Sequence, residues 1–522
     1  MEKLLTLILA AVLAASCVAN GLLSDGADAL DGDPWVEHGM IVLGDRLEDP
    51  YTVENMTQAL SVLYPTKADR IILQTTDYYV RFLPANAEQL KILEELGVEM
   101  LDHPVDYEIV REGDWYHDPE VPEGEITWQY AVVKTDFVFP RGIRYEILDR
   151  CHIPETGAST KADGIDWEAV EREAYRLTGN EALLEGATKG EESGTPAGRI
   201  TIQDPARSEP EGVRGVRVGC NRFVKFAHAY TDEDGYYRMD KKFSSAPRFR
   251  LVFKNSAGFA IGFNLVLCPA SFATLGRGTV QGMDLEVTPD SDERLYARCV
   301  VNNAGYDYYK RCAALSPALK TPPKNLRIWL FQRLSRSSTI MMQQGVMVDN
   351  SKLGEYLGEF SVLLKMFLPD ITLGLGDSDD YAGIYANAMH ELAHASHFML
   401  CGRNFWESYV RFILTSFVSS GFVTYGVGTE EDHGYCEVGD MWAYFLESVL
   451  YRERYGGDRS FGLSYWFHPQ IFLQLSDRGL PAEKIFQVLS EDVTDRAVLQ
   501  KKLTSYYPEC KSAISQAFAR YN

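Results

Sequence analysis

Between Tyr381 and Cys401 the chain reads YAGIYANAMHELAHASHFMLC, and this segment restricts the possible folds more than any other. Ser378, Asp379 and Asp380 offer helix N-caps and Gly402 offers a C-terminal stop, so the spacing predicts a helix over 381–401. At its centre stand His390-Glu391-Leu392-Ala393-His394. Residues four apart share a helical face, so both imidazoles reach one point from adjacent turns. Glu391 lies about 100° round the helix from His390, near that point without joining it. Two imidazoles beside a carboxylate suit a zinc ion and a general base: the metal acidifies water and polarises a carbonyl, and Glu391 takes the proton and passes it on. The plainer alternative is an exposed helix face with two solvated histidines. The caps and the apolar remainder of the helix argue against it.

A catalytic zinc needs a third protein ligand. The extended metzincin pattern would place Gly at 397 and His at 400, but this chain has His397 and Leu400, so His397 reads as a neighbour of the site. A second helix is expected from Gly434-Tyr435-Cys436-Glu437-Val438-Gly439-Asp440 to Tyr455, stopped by Gly456-Gly457. Glu437 and Asp440 share a face of it. Glu437 is the expected zinc ligand, with Asp440 outside it receiving an N–H from a ligand imidazole. Glu447 is the rival. It lies about 15 Å of helical rise beyond Glu437, so the two cannot serve one ion together.

A HExxH helix followed by a helix bearing Glu resembles the gluzincin branch of zinc metallopeptidases. In thermolysin-like members the acidic partner follows that Glu by four residues, here by three. The resemblance implies an edge strand before the metal helix, along which an extended peptide binds, and Asp370-Ile371-Thr372-Leu373-Gly374-Leu375-Gly376 stands in that place. It also implies a Tyr or His that stabilises an oxyanion. His433 is the foremost candidate, with Tyr435, Tyr425 and His468 as rivals, and each alone is as well explained by a structural role.

At the other end, Lys3 precedes an uncharged stretch from Leu4 to Ala15, then Ser16 and Cys17. The stretch is too short to span a bilayer and suits a signal peptide over 1–17. Small residues running into Cys17 resemble the lipobox of bacterial lipoproteins, which implies lipidation there. Ala14 stands where Leu is usual, and ordinary cleavage nearby is the alternative. Residues 18–155 alternate strands and helices as a small α/β module, with strands at Tyr78 to Leu83 and Val98 to Leu101 and a helix between Asn86 and Gly97. Residues 156–197 are polar and read as a linker with a short helix around Trp167 to Leu177. From 198 to 268 short alternating runs and an Asp-Gly turn predict antiparallel β structure. Gly-Val-Arg-Gly-Val-Arg-Val followed by Thr-Asp-Glu-Asp-Gly-Tyr-Tyr resembles the carboxypeptidase-regulatory, transthyretin-like sandwich. Residues 269–522 are mainly helical. The expected class is therefore α+β multidomain: an N-terminal α/β module, a small antiparallel β-sandwich and a C-terminal, mainly helical zincin-like metallopeptidase domain.

The 522 residues carry 51 Lys+Arg against 74 Asp+Glu, a net charge of −23 that disfavours nucleic-acid partners. The uncharged run from Phe412 to Thr429 contains Ser, Thr and Gly and reads as buried core. Eight cysteines remain after Cys17, none in a CxxC pair, so a mixture of bridges and buried thiols is expected. Neither a GxxxxGK[ST] loop nor a GxSxG elbow occurs. The whole plan resembles zinc metallopeptidase lipoproteins of Bacteroidetes. It implies an extracytoplasmic endopeptidase of the bacterial cell envelope, tethered to a membrane by lipid, acting on protein or peptide with one zinc. The alternatives are a surface binding or adhesion lipoprotein and a zinc amidase acting on peptidoglycan.

Overall fold

A computed structural model describes residues 40–68, 71–113, 115–122, 125–154, 164–184, 193–263, 271–332, 337–346, 369–376, 380–419, 426–457 and 466–521. Cys17, Cys268 and Tyr425 lie outside them. The architecture is mixed α+β, with several small sheets and a helical C-terminal region.

The N-terminal part holds strands β1 (Val42–Arg46), β2 (Asp77–Leu83), β3 (Tyr107–Arg111), β4 (Gln129–Lys134) and β5 (Arg144–Cys151). They form the sheets β1-β3 and β4-β2-β5, antiparallel throughout. That pairing makes the module α+β where α/β was expected. Val98 to Leu101, expected as a strand, makes only the bridge Leu101–Tyr130. Helix α1 (Val53–Leu63) is capped by Thr52, and α2 (Ala87–Glu95) by Asn86. Helix α3 (Trp167–Leu177), capped by Asp166, sits where the sequence placed it. Its apolar face (Val170, Ala174) packs with Met56, Ala59 and Leu60 of α1, so this part of the 156–197 span belongs to the module's core.

Two further sheets follow. Strands β6 (Ala197–Ile202), β7 (Glu211–Gly212), β10 (Tyr236–Arg238) and β14 (Leu285–Val287) make one; β8 (Arg217–Arg222), β9 (Lys225–Tyr230), β11 (Arg248–Val252) and β13 (Phe272–Arg277) make the other, in the order β13-β11-β8-β9. Ile200, Ile202, Val218, Cys220, Phe249 and Leu251 bury their side chains in one apolar cluster. Strands beyond residue 268 complete both sheets. Gly235, the turn glycine, adopts φ 86° with its α-carbon hydrogens against the Ile200 carbonyl, a site where a Cβ would lie 2.1 Å from that oxygen.

Strand β12 (Phe259–Phe263) leaves this region and pairs in parallel with β15 (Leu326–Phe331), which pairs in parallel with β17 (Ile371–Gly374). Helix α4 (Glu293–Ala314) lies on the crossover between β12 and β15. The two-residue strand β16 (Ser338–Thr339) runs antiparallel along β17. The expected edge strand is therefore an inner one: β17 is paired on both sides and β16 forms that edge. Above this sheet lie α5 (Tyr381–Ser419), broken at Gly402 (φ 77°, ψ −178°), and α6 (His433–Tyr455), closed by Gly456 at φ 71°. Helices α7 (Gln470–Asp477), α8 (Ala482–Phe486), α9 (Arg496–Tyr506) and α10 (Lys511–Ala519) complete the C-terminal region. One apolar cluster draws on buried residues from Ile200 to Phe518. None of the seven described cysteines forms a disulfide, and six of them are buried. Among the described residues no helix is long and apolar enough to cross a membrane.

Candidate metal centre

Asp380 caps α5 by accepting the Gly383 N–H at 2.7 Å. From there Ile384, Ala388, Leu392 and Ala395 bury one side of the helix, which fixes the direction of His390 and His394. Their rings lie 4.9 Å apart, and both are buried. On α6, Asp440, Tyr444 and Glu447 follow one another at helical spacing and meet these rings. Asp440 Oδ1 is 3.9 Å from His390 Nε2 and 3.7 Å from His394 Nε2. Glu447 Oε2 is 3.0 Å from His390 Nδ1. The Tyr444 ring packs 4.3 Å from that of His390. Trp442 Nε1 donates to the Ala393 carbonyl at 3.1 Å, pinning the two helices at the level of the motif.

His390, His394 and Asp440 are the group able to hold a metal ion among the described residues, with their donor atoms within 4.8 Å of one another. The fit can be tested on His394. Its ring is completely buried and neither nitrogen has a hydrogen bond of normal length, while burial pushes its pKa below the usual range and keeps it neutral. A neutral imidazole with an unused lone pair inside a protein suits a metal ligand. Tetrahedral zinc with bonds of about 2.0–2.1 Å sets ligand atoms roughly 3.3–3.5 Å apart, near the 3.7 and 3.9 Å from Asp440 Oδ1 to the two imidazole nitrogens. The residues fit the ion.

Glu391 sits beside this group and is 1% exposed. Thr339 Oγ1, on β16, donates to its Oε2 at 2.7 Å. Burial pushes the Glu391 carboxyl up to about 7, with Asp440 and Glu447 acting in the same direction and His390 and Thr339 opposing. Such a group gives and takes a proton near neutral pH. On the far side of Asp440, Oδ2 accepts from Tyr409 Oη at 3.3 Å and from Cys436 Sγ at 3.2 Å.

Glu437, the expected ligand, is not brought to the histidines. It occupies the first turn of α6, and its Oε1 is 3.3 Å from Arg496 Nε on α9. The expectation placed Asp440 behind a ligand imidazole and Glu447 as the rival to Glu437. Asp440 faces both imidazoles, and Glu447 orients one of them. His433 Nδ1–H donates to the Glu430 carbonyl, 2.7 Å away, and the ring packs near Trp466; among the described residues its polar and ring contacts lead away from the histidine pair. Tyr435 packs on Phe405, and His468 stacks on Tyr521. His397 is buried between Phe405 and Trp406, its pKa pushed down to about 3 by burial and by His394, and it stands outside the metal group. The sequence reading passed over Thr339, Tyr409 and Tyr444. Tyr444 had a signal, since it completes the Asp440–Glu447 stripe. Thr339 had none, because no spacing ties a two-residue strand to a helix 52 residues on.

Compared with protein-family models, curated proteins and solved structures, the chain matches none.

Proposed function

We propose that this chain is a zinc-dependent endopeptidase in which His390, His394 and Asp440 hold the ion and Glu391 moves the proton. One observation carries the reading: a carboxylate oxygen meets two imidazole nitrogens, one on an otherwise unpartnered buried ring, beside a carboxyl that titrates near neutrality. A bound zinc supplies Lewis acidity toward water and a carbonyl oxygen. The chain's own residues prepare everything else. Glu447 accepts the Nδ1 proton of His390 and so leaves Nε2 as the donor atom. Tyr409 and Cys436 engage Asp440 Oδ2, which leaves Oδ1 toward the imidazoles. Thr339 holds Glu391 in place to take a proton from water and return it to the departing amine. The remaining elements of the reading are a zincin-like C-terminal region, a transthyretin-like sandwich as accessory, a protein or peptide substrate, and lipidation at Cys17 in a bacterial envelope. They rest on the sequence resemblances.

Burial favours a second reading. His390, Glu391, His394, Asp440 and Glu447 are all 4% exposed or less, as suits a metal that braces two helices in a binding protein. Glu391→Gln separates the two. The expected result is unchanged zinc content with roughly 10²- to 10⁴-fold slower cleavage of a mixed peptide library. A wild-type chain that binds zinc and cleaves neither peptides nor peptidoglycan sacculi would establish the bracing role. Undiminished cleavage by the variant would remove Glu391 from the mechanism.

A further inference from the structure

A cavity of about 50 Å³ lies where the N-terminal module meets the sheet β13-β11-β8-β9. Phe223 and Phe272 form apolar parts of its wall, and Arg222, Arg248, Arg250 and His103 form polar parts. The carboxylates nearby are committed. Glu99 holds Arg217 at 2.7 Å, Arg250 at 2.8 Å and His228 at 3.0 Å. Glu171 holds Lys225 at 2.7 Å, and Glu112 holds Arg248. Asp102 engages Nδ1 of His103 at 2.9 Å.

Arg222 is different. It is 8% exposed, its Nε has no hydrogen bond, and among the described residues no carboxylate lies within ion-pair distance of it. Its guanidinium meets the Tyr175 hydroxyl and lies 5.5 Å from the centre of the Phe223 ring, and its charged neighbour is Arg277, which among the described residues is also without an ion pair. A guanidinium does not shed its proton on burial, so the charge stays, and neither a hydroxyl nor a ring neutralises it. In a chain of net charge −23, this cavity has more cations than carboxylates to meet them.

We propose that the cavity is an oxyanion site, in which a carboxylate or phosphate group sits on the Arg222 guanidinium with Arg248 and His103 beside it. Planar guanidinium N–H groups match both anions. The volume corresponds to one or two waters, on the order of one such group, so the rest of a larger ligand would extend outward past the apolar wall. The site lies apart from the histidine pair and does not depend on the zinc reading.

The test is calorimetric titration of the full chain with inorganic phosphate and, separately, with acetate. One saturable site for at least one anion is expected, weakened roughly tenfold or more in Arg222→Met and less in Arg222→Lys. Preference for phosphate assigns a phosphoryl ligand, and preference for acetate a carboxylate. No binding of either by the wild-type chain overturns the proposal. So does equal binding by wild type and Arg222→Met, which would mark an adventitious ion only. If Arg222→Met does not fold, Arg222→Lys and the exposed Arg277→Met decide, and unchanged affinity in both overturns the site.

Discussion

Which acid on α6 serves the metal can be settled by paired substitutions. Asp440→Asn keeps the shape of the side chain and removes the charge from Oδ1, the atom 3.7 and 3.9 Å from the two imidazole nitrogens. Drawing Oδ1 and the two nitrogens onto zinc asks the carboxylate to approach each imidazole by roughly half an ångström. Glu437 would instead have to leave Arg496, 3.3 Å from it, before approaching any ion. Zinc held by protein ligands is bound with apparent free energies of about 10–16 kcal/mol. One of three ligands therefore accounts for roughly 3–5 kcal/mol, and its loss should weaken zinc by about 10²- to 10³-fold or more. Glu437→Gln should leave zinc affinity within about twofold while lowering stability by roughly 1–3 kcal/mol, because Arg496 loses a largely buried partner. Competition against a chromophoric chelator gives the first quantity, and urea unfolding gives the second. The reasoning fails if Glu437→Gln loses the metal while Asp440→Asn keeps it.

Gly439 lets α6 approach α5 at the site, since a Cβ there would meet Tyr409 Cε2 at 2.9 Å and His394 Cε1 at 3.8 Å. Gly439→Ala should displace Tyr409 from Asp440, destabilise the fold by about 1–3 kcal/mol and weaken zinc by about 10- to 100-fold, read by urea unfolding and chelator competition. Unchanged zinc affinity would show that Tyr409 does not position Asp440. Asp49 is buried with its Oδ2 unpartnered, and burial pushes its carboxyl up to about 8. The unfolded carboxyl titrates near 3.9, so between about pH 4 and 8 the folded state holds the extra proton and stability falls as pH rises through that window. Asp49→Asn should relieve this, stabilising by on the order of a few kcal/mol at pH 8 and by less at pH 5. Urea unfolding at both values checks it; a gain independent of pH would refute the assignment.

The sequence disclosed elements whose cause is local. Helix α3 is set by the Asp166 cap and an apolar face, and the break in α5 by a glycine whose φ and ψ other residues avoid. The histidine pair is legible for the same reason, since four residues along one helix determine their proximity. The carboxylate that meets the pair is not. Glu437, Asp440, Tyr444 and Glu447 lie on one stripe of α6, and every member is equally well directed toward a neighbouring helix. The axial level at which α6 meets α5 selects among them, and that level depends on Trp442 reaching Ala393 and on Gly439 admitting Tyr409. Both are contacts across thirty residues or more. The edge strand was misplaced for a similar reason: β16 is only two residues long and carries no alternation that a sequence can display.

The level at which the two helices meet is held at their far ends by Arg454. This side chain leaves the last turn of α6, contacts Asp204 Oδ2 at 2.8 Å and Glu211 Oε1 at 2.6 Å, and lies over the rings of Tyr381 and Tyr385 at the start of α5. Asp204 follows β6 and Glu211 lies in β7, and Asp307 of α4 joins through Tyr385 Oη and Arg214. One cation thus ties the β6–β7 sheet to both site helices. Arg454→Met should be destabilising by about 3–5 kcal/mol, mostly because Asp204, 1% exposed, is left charged without its guanidinium. If stranding that carboxylate is the cause, Arg454→Met combined with Asp204→Asn should recover much of the loss, and a double-mutant cycle in urea should show strong coupling. Zinc affinity should fall in the single variant as the helix ends relax, and return in part in the double. Additive losses would mean that Arg454 acts through its aromatic stacking alone. A single variant of near wild-type stability would mean that the helices find their level without the β6–β7 sheet.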